Sequence, residues 1–381
     1  LYFNNFKELF IHFYGTVVEK PERKQLPLRL SRIKNVGASI FMSAPLVYRK
    51  RLFTASVDDN ESGKAAVVCM DAQNGTVCWR YSLRGSVRSS IAIADGLVFA
   101  QDVHGYLYAI QAETGTLVWE KDLNIGVLPP LNDGLVAVSD IVYAGTGKSL
   151  CALKAATGEL IWKNGAWSRG EGCVATLSLG HSILIEHANW KGLYANNAVN
   201  GELLWENKDA ELKYRSASVA WEGENLYLLS SRSFFILNSK NGEIIVRKKL
   251  NCSVNVNSTP LVTGSEIIFG TATNGVIALD KQTLEEKWNF KTNPALIYTS
   301  PYSKPSSSTV ETSPVLVGDS IFFGASDGIL YALNRINGKL LWKYQTGVPI
   351  FSTVSIAGNA LYVTDFAGNV YGFIMNNKTQ D

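Results

Sequence analysis

Hydrophobic residues come in short runs along this chain, and glycine, asparagine or aspartate separates one run from the next. Runs at 97–100, 141–144, 267–270 and 321–324 each lead into a glycine turn, which a second short run then follows. Short apolar runs joined by such turns are typical of β-hairpins. Only 4–12 shows a pattern that fits a helix, so the sequence predicts an all-β fold.

The hairpins belong to a longer repeat, marked by a motif of Asn or Thr, Gly, one variable residue, two mostly apolar residues and Trp. Val246 replaces the tryptophan in the fifth copy, and successive copies are 40, 43, 43, 41, 42 and 54 residues apart. The six tryptophans are Trp79, Trp119, Trp162, Trp205, Trp288 and Trp342. Units of four short strands that recur at about 40 to 50 residues predict a β-propeller.

Counting the units gives eight blades, and the last unit lacks its fourth strand. The segment from Leu26 to Ile33 precedes the first blade as a Trp strand precedes the others, so we expect it to supply the missing outer strand and close the ring. The expected organisation is an appendage or the end of a preceding domain at 1–24, the eight-bladed propeller at 25–376 and a tail at 377–381.

The repeat resembles the PQQ repeat of quinoprotein-type propellers. The residues that carry the resemblance are the Ser-Thr-Pro at 258–260, the Tyr-Ala-Leu at 331–333, the Thr-Gly at 114–115 and the closing Trp. The resemblance covers about residues 26–375, and it implies that the six tryptophans dock one blade on the next. The resemblance extends equally to quinoprotein dehydrogenases, to BamB-like outer-membrane assembly propellers and to the C-terminal propellers of secreted calcineurin-like phosphoesterases.

The dehydrogenase function is not expected. The resemblance implies that such enzymes carry an adjacent cysteine pair over pyrroloquinoline quinone (PQQ), a calcium site and an aspartate base. The five cysteines of this chain are scattered, and Glu171, Asn257 and Glu311 stand outside any recognisable enzyme motif. We therefore expect no catalytic residue in this chain, no metal site and no cofactor, PQQ and calcium included.

Composition excludes other classes of protein. Thirty-six basic and 33 acidic residues give a net charge of +3, too balanced for a protein that binds nucleic acid through its phosphates. No apolar stretch is long enough to span a membrane, and the first residues do not form a signal peptide. The start at Leu1 suggests that the chain is a piece of a larger protein. If that protein is anchored to a membrane, we expect the anchor in a segment before Leu1.

The cysteines at 69, 78, 151, 173 and 252 have neither adjacent nor CxxC spacing, which favours buried free thiols. One disulfide is the alternative, and the spacing does not place it.

One position of the innermost strand supplies the candidate binding site, because innermost strands line the axial channel of a propeller. We expect charges of both signs to converge at one end of that channel, either as a structural network or as a ligand-binding mouth. The candidates at this position are Arg88, Arg215, Asn257 and Glu311, with Met42 and Phe351 at the same position of other blades. Glu171, on the same strand of another blade, is the fifth candidate.

The resemblance, together with the lack of a catalytic motif, implies a non-catalytic binding or scaffold propeller of a bacterial protein, periplasmic or extracellular, whose ligand is a protein or a cell-envelope component. The chain is expected to be a monomer or attached to an upstream domain. The alternative is an accessory C-terminal domain of a larger secreted hydrolase with a calcineurin-like phosphoesterase, and a divergent PQQ-dependent dehydrogenase is the remote one.

Overall fold

The computed structural model describes residues 24–60, 62–123, 134–145, 149–165, 176–188, 190–213, 218–299 and 306–377. Its described strands form eight four-stranded antiparallel sheets, which are the eight predicted blades of one ring. One short 3-10 helix, Ala210–Lys213, lies between the fourth and fifth blades. The expected boundaries 25 and 376 lie one residue inside the first and last strands, and the possible helix at 4–12 lies outside the described residues.

The strands are numbered in chain order, and each blade is given from its innermost strand outward. Blades 1 to 4 consist of β2(Leu46–Tyr48), β3(Arg51–Ala55), β4(Ala66–Asp71) and β5(Val77–Ser82); β6(Ala92–Ala94), β7(Leu97–Gln101), β8(Tyr106–Gln111) and β9(Leu117–Asp122); β10(Val136–Val138), β11(Ile141–Gly145), β12(Leu150–Lys154) and β13(Leu160–Asn164); and β14(Ser178–Gly180), β15(Ile183–Ala188), β16(Gly192–Asn197) and β17(Leu203–Asn207).

Blades 5 to 8 follow the same order. They consist of β18(Ala220–Glu222), β19(Asn225–Ser230), β20(Ser233–Asn238) and β21(Ile244–Lys249); β22(Leu261–Val262), β23(Glu266–Gly270), β24(Val276–Asp280) and β25(Glu286–Phe290); β26(Val315–Val317), β27(Ser320–Gly324), β28(Ile329–Asn334) and β29(Leu340–Gln345); and β30(Ser355–Ala357), β31(Ala360–Thr364), β32(Asn369–Asn377) and β1(Lys24–Asn35).

The turn between the third and fourth strands is built in the same way in most blades. In blade 1, the carboxylate of Asp71 accepts hydrogen bonds from the backbone N–H groups of Gln73 and Asn74, at 2.8 Å each, and Gly75 adopts a φ of +76°. Short Asp and Asn side chains that bond the backbone two residues on favour such turns, and glycine adopts the positive φ without strain. Asn197, Asn238, Asp280 and Asn334 repeat the side-chain bond.

Ser/Thr pairs lie just before the innermost strands, which contain only two or three residues. In blades 6 and 7 one hydroxyl of the pair bonds the end of the second strand, where a longer ladder would otherwise form. Ser258 Oγ accepts from the N–H of Gly270 at 2.8 Å, and Thr312 Oγ1 donates to the carbonyl of Gly324 at 2.8 Å.

The closing strand is confirmed. β1 pairs antiparallel with β32, from Lys24 opposite Asn377 to Asn35 opposite Asn369, so it is longer at both ends than the predicted 26–33. Leu28 of β1 is buried in the core that blades 7 and 8 share, together with Tyr371 and Phe373 of β32. The last blade therefore takes its outer strand from the other end of the chain.

The hydrophobic core lies between neighbouring blades, as the cluster shared by Leu46 and Phe53 of blade 1 and Val98 and Tyr108 of blade 2 illustrates. Five of the six repeat tryptophans donate their indole N–H to a carbonyl of the following blade, from Trp79 to Ala112 at 3.0 Å through Trp288 to Arg335 at 2.9 Å. The other three pairs are Trp119–Ala155, Trp162–Ala198 and Trp205–Ser239.

Candidate ligand-binding mouth

The connections that enter the innermost strands bring distant parts of the chain together at the ring axis. Asn257, before blade 6, donates its Nδ2 to Met42 Sδ, before blade 1, at 2.8 Å, although the two residues are 215 positions apart. Residues at this repeat position therefore meet across the ring. We name Phe41, Met42, Asn257, Glu311, Phe351 and Phe366 the axial mouth.

Glu311 forms the polar centre of the axial mouth. Its side chain is buried, and its Oε2 accepts the backbone N–H of Asn257 at 2.9 Å and the Nδ2 of the same residue at 3.3 Å. Its Oε1 accepts the hydroxyl of Thr299. Both carboxylate oxygens are therefore used by donors of this chain, which is how a protein keeps a buried carboxylate.

Asn257 supplies an acceptor that Glu311 does not use. Its Nδ2 is shared by Met42 and Glu311, whereas its buried Oδ1 has no hydrogen-bond partner among the described residues. An unsatisfied buried acceptor is uncommon in a folded protein.

Three phenylalanines form the apolar side of the axial mouth. Phe41 and Phe351 lie 5.5 Å apart between ring centroids, Phe351 and Phe366 also 5.5 Å, and Phe41 and Phe366 6.2 Å, all in edge-to-face geometry. Phe351 is buried together with Met42, whereas Phe41 and Phe366 are half-buried. Two aromatic rings thus present partly exposed surface beside the Glu311 network.

The segment before Thr299 carries further exposed apolar side chains. Leu296, Ile297 and Tyr298 are 55%, 41% and 42% exposed, and the N–H of Leu296 is fixed to the carbonyl of Ser326 at 2.9 Å. Tyr298 begins the Pro/Ser-rich loop that lengthens the spacing between the last two repeat tryptophans to 54 residues. The structure places the start of that loop beside Glu311 through Thr299; its residues 300–305 lie outside the described residues.

The structure describes three of the five predicted site residues, and only two of these three lie together. Asn257 and Glu311 meet, as described above. Arg88 forms an ion pair with Asp59 of the blade 1 loop at 2.7 Å, with both side chains at least 40% exposed. Glu171 and Arg215 lie outside the described residues, so the predicted convergence of all four charges stays a prediction.

Sequence reasoning missed Thr299, Phe41 and Phe366. Phe41 could have been found, because it directly precedes the recognised repeat position at Met42. Phe366 comes from the turn between β31 and β32, so nothing in the linear repeat register assigns it to the axis.

Turns between second and third strands support the same face of the ring. Asp102, before β8, accepts the N–H of His104 at 2.9 Å and the hydroxyl of Tyr108 at 2.8 Å. Burial raises the pKa of Asp102, which the hydrogen bonds of Tyr108 and of the turn partly oppose. Asp327 with Tyr331 and Asp365 with Tyr371 repeat the hydroxyl bond, so these buried acids hold turns in place.

Two further properties bear on function. Among the described residues, no three histidine, cysteine, aspartate or glutamate side chains are grouped so that they could hold a metal ion. In the same part of the chain, no helix has the length and hydropathy needed to cross a bilayer.

Comparison with known proteins gives relatives for this ring. Over 104 residues, the chain is 27% identical to the outer membrane protein assembly factor BamB of Yersinia pestis; the match covers 27% of this chain and 26% of that protein. The chain covers 36% or less of the length of the curated relatives that it matches.

Solved structures agree with the fold. BamB from Moraxella catarrhalis superposes with a TM-score of 0.68 at 17% identity, covering 91% of this chain and 100% of that one. The quinohemoprotein alcohol dehydrogenase of Comamonas testosteroni superposes with a TM-score of 0.72 at 14% identity, covering 93% and 77%. At these identities the structures share the fold alone with this chain.

The family model described as outer membrane protein assembly factor BamB matches residues 29–179 and 191–380, which is nearly the whole ring. The chain therefore belongs to this PQQ-repeat family.

Proposed function

We propose that this chain is a non-catalytic binding propeller that holds a protein partner at its axial mouth, outside the cytoplasm. The observation that carries the proposal is the pair of partly exposed rings, Phe41 and Phe366, at the end of the ring where Glu311 is fixed. Thr299, which bonds Glu311, directly follows the exposed Leu296, Ile297 and Tyr298. Membership of a family described as an outer membrane protein assembly factor supports a protein ligand and a site of action in the cell envelope.

The chemistry of the mouth favours a particular kind of partner segment. Half-buried aromatic rings beside exposed aliphatic side chains suit apolar anchors, and aromatic residues are enriched at protein interfaces. The proposed ligand is therefore an apolar protein segment.

The hydrogen bonds that Glu311 accepts argue against a catalytic or metal-binding role for this residue. A carboxylate that acts as a base or binds calcium must present a lone pair to the proton or the ion, whereas Glu311 is buried and both of its oxygens already accept hydrogen bonds from Asn257 and Thr299. The buried Met42 and Phe351 also pack together at the axis. We therefore propose that PQQ and calcium are not its ligands.

Site-specific crosslinking tests the binding site. A photoreactive phenylalanine in place of Ile297 is expected to give a discrete protein adduct in envelope extract of the source cells, and the same group in place of Leu340, on the outer strand β29, is not. Both positions are exposed, at 41% and 44%, so they differ in location rather than accessibility. Phe366→Ser should reduce the Ile297 adduct, whereas Leu341→Ser should leave it unchanged.

Equal adducts from both positions, or an adduct that Phe366→Ser leaves intact, would remove the axial mouth as the binding site. The cofactor proposal is tested separately by calorimetry of the full chain with PQQ and calcium. No saturable heat is expected, and stoichiometric binding would overturn the non-catalytic assignment.

A further inference from the structure

Two cysteines that are distant from the axial mouth lie side by side in blade 1. Cys69 is on β4, opposite Trp79 of β5, and the pairing shifts at a β-bulge directly after that pair. Met70 is opposite Val77, which makes Cys78 the extra residue of the bulge. Bulged residues share one opposing residue on the partner strand. Cys78 is therefore adjacent to Cys69 across the strand pair.

The other blades have the same bulge without cysteines. In blade 2, Ala109 is opposite Trp119 and the pairing shifts directly after it, so Ala109 and Val118 correspond to Cys69 and Cys78. The equivalent pairs elsewhere are Ala152 and Ile161, Ala195 and Leu204, Ile236 and Ile245, Ala278 and Lys287, Ala332 and Leu341, and Gly372 and Ser31. Of these eight pairs, only the one in blade 1 has cysteine at both positions.

The environments of the two thiols differ. Cys69 is buried, with its Sγ 4.0 Å from the Arg51 guanidinium, whereas Cys78 is exposed. Burial raises the pKa of the Cys69 thiol to about 12; Arg51 opposes this shift and the neighbouring Cys78 adds to it. Cys78 is the accessible thiol, and Arg51 is placed to stabilise negative charge on Cys69.

We propose that Cys69 and Cys78 form a redox-active dithiol that a disulfide oxidant such as oxidised glutathione converts to an intrachain disulfide. The Cys78 thiolate attacks the glutathione disulfide, which gives a mixed disulfide and releases one glutathione thiolate. Cys69 then loses its proton and attacks Cys78 Sγ, which releases the second glutathione. The two protein thiols give up two electrons and two protons, and one glutathione disulfide becomes two glutathione thiols.

Strand geometry permits the bond. Paired strands are about 4.7–4.9 Å apart, and residues bridged by a disulfide have Cα atoms about 4.4–6.8 Å apart. The bond would link β4 to the outermost strand β5, so it would fix the outer edge of blade 1. The inference rests on these residues alone and does not depend on the proposed function.

Peptide mapping of the full chain tests the proposal. Cys69 and Cys78 lie between Lys64 and Arg80 with no other lysine or arginine between them, so trypsin releases both in one peptide. After oxidised glutathione and a thiol-alkylating reagent, this peptide is expected to be two hydrogen masses lighter than the reduced peptide and to carry no alkyl group. The conversion should become faster as pH rises, because Cys69 must lose its proton.

Variants identify the intermediate and control for chance oxidation. Cys69→Ser should stop at the mixed disulfide, with glutathione retained on Cys78, whereas Cys151→Ser should oxidise like the wild type. Wild-type protein that retains glutathione on Cys78, or whose peptide is alkylated at both cysteines, would overturn the proposal. The wild-type result alone decides it, so a variant that fails to fold does not affect the test.

Discussion

At the residue scale, the repeat depends on a contact between the tryptophan of one blade and the turn glycine of the next. A Cβ on Gly115 would lie 2.7 Å from the ring of Trp79, and a Cβ on Gly158 would lie 2.7 Å from the ring of Trp119. Both glycines also have positive φ values, +75° and +69°. The glycine is therefore required twice, for the turn and for the ring that packs on it.

Gly158→Ala separates these two requirements when it is compared with Gly318→Ala. Gly318 has a φ of +59° with nothing within 4 Å of the added Cβ, so its substitution should cost only the positive-φ strain, about 1 kcal/mol. Gly158→Ala adds overlap with Trp119 and should cost about 2 kcal/mol more. Denaturant unfolding measures both, and equal losses would show that ring packing does not restrict this turn.

The fifth repeat shows how the contact is replaced. Val246 takes the tryptophan position of blade 5, and the corresponding turn of blade 6 carries Leu284 instead of glycine, with a φ of +59°. Leu284 is partly buried against the core cluster of blades 5 and 6. The smaller Val246 of blade 5 is thus accompanied by the larger Leu284 in the turn of blade 6.

A double-mutant cycle tests this exchange. Val246→Trp should destabilise the protein because the new ring meets the Leu284 side chain, and Leu284→Gly should lose apolar packing. Together they should restore the arrangement of the other blades, with a favourable coupling of about 1–3 kcal/mol in the free energy of unfolding. Additive effects would mean that the two residues are independent.

At the element scale, the repeat period predicted the number of blades, the strand order and the closing strand, because each follows from local spacing. The length of the innermost strands was not predictable in this way, since Ser258 and Thr312 replace ladder bonds by side-chain bonds that depend on the neighbouring strand. Similarly, the sequence predicted that Glu311 lies at the axis but not that Asn257 and Thr299 satisfy it. The Asn257 contact joins separate blades and the Thr299 contact closes a loop, and spacing carries no information about either.

The 3-10 helix Ala210–Lys213 is anchored by a buried histidine. His187 of β15 is hydrogen-bonded through Nε2 to the carbonyl of Leu212 at 2.6 Å, and its buried Nδ1 has no partner within the described residues. Burial lowers the pKa of His187 to about 4, with the hydrogen bond to Leu212 opposing the shift. The neutral ring is the form that this packing stabilises.

This histidine should make the protein less stable in mild acid. Between pH 6.5 and 4 the unfolded chain binds a proton at position 187 that the folded chain does not, so stability falls as pH falls through this window. The loss is about 3 kcal/mol at full extent. His187→Gln should flatten the dependence of unfolding free energy on pH, whereas substitution of the exposed His181 by Gln should not. An unchanged slope in His187→Gln would assign the acid sensitivity to other groups.

At the scale of the whole molecule, the ring closes through a strand from the opposite end of the chain, and Arg32 of that strand performs the docking role of the tryptophans. Its guanidinium donates to the carbonyls of Ala72 and Gln73, and its Cδ lies 3.2 Å from the position of a Cβ on Gly75. Gly75 occupies the turn position that faces a tryptophan in most other blades. The contact between blade 8 and blade 1 therefore follows the general pattern with a cation in place of an indole.

A chain that begins at Val36 should lose this closure and self-associate, because the edge of β32 and the core residues Tyr371 and Phe373 would be uncovered.

A synthetic peptide of residues 24–35 should bind this shortened chain one to one and restore the monomer. The same peptide with Arg32→Ala should bind about tenfold more weakly, since it lacks charge-assisted bonds to two carbonyls. Arg29→Ala, at an exposed position of the same strand, is the matched control and should bind like the unmodified peptide. Size-exclusion chromatography and calorimetry measure the two effects. A shortened chain that stays monomeric and as stable as the full one would show that the ring does not depend on β1.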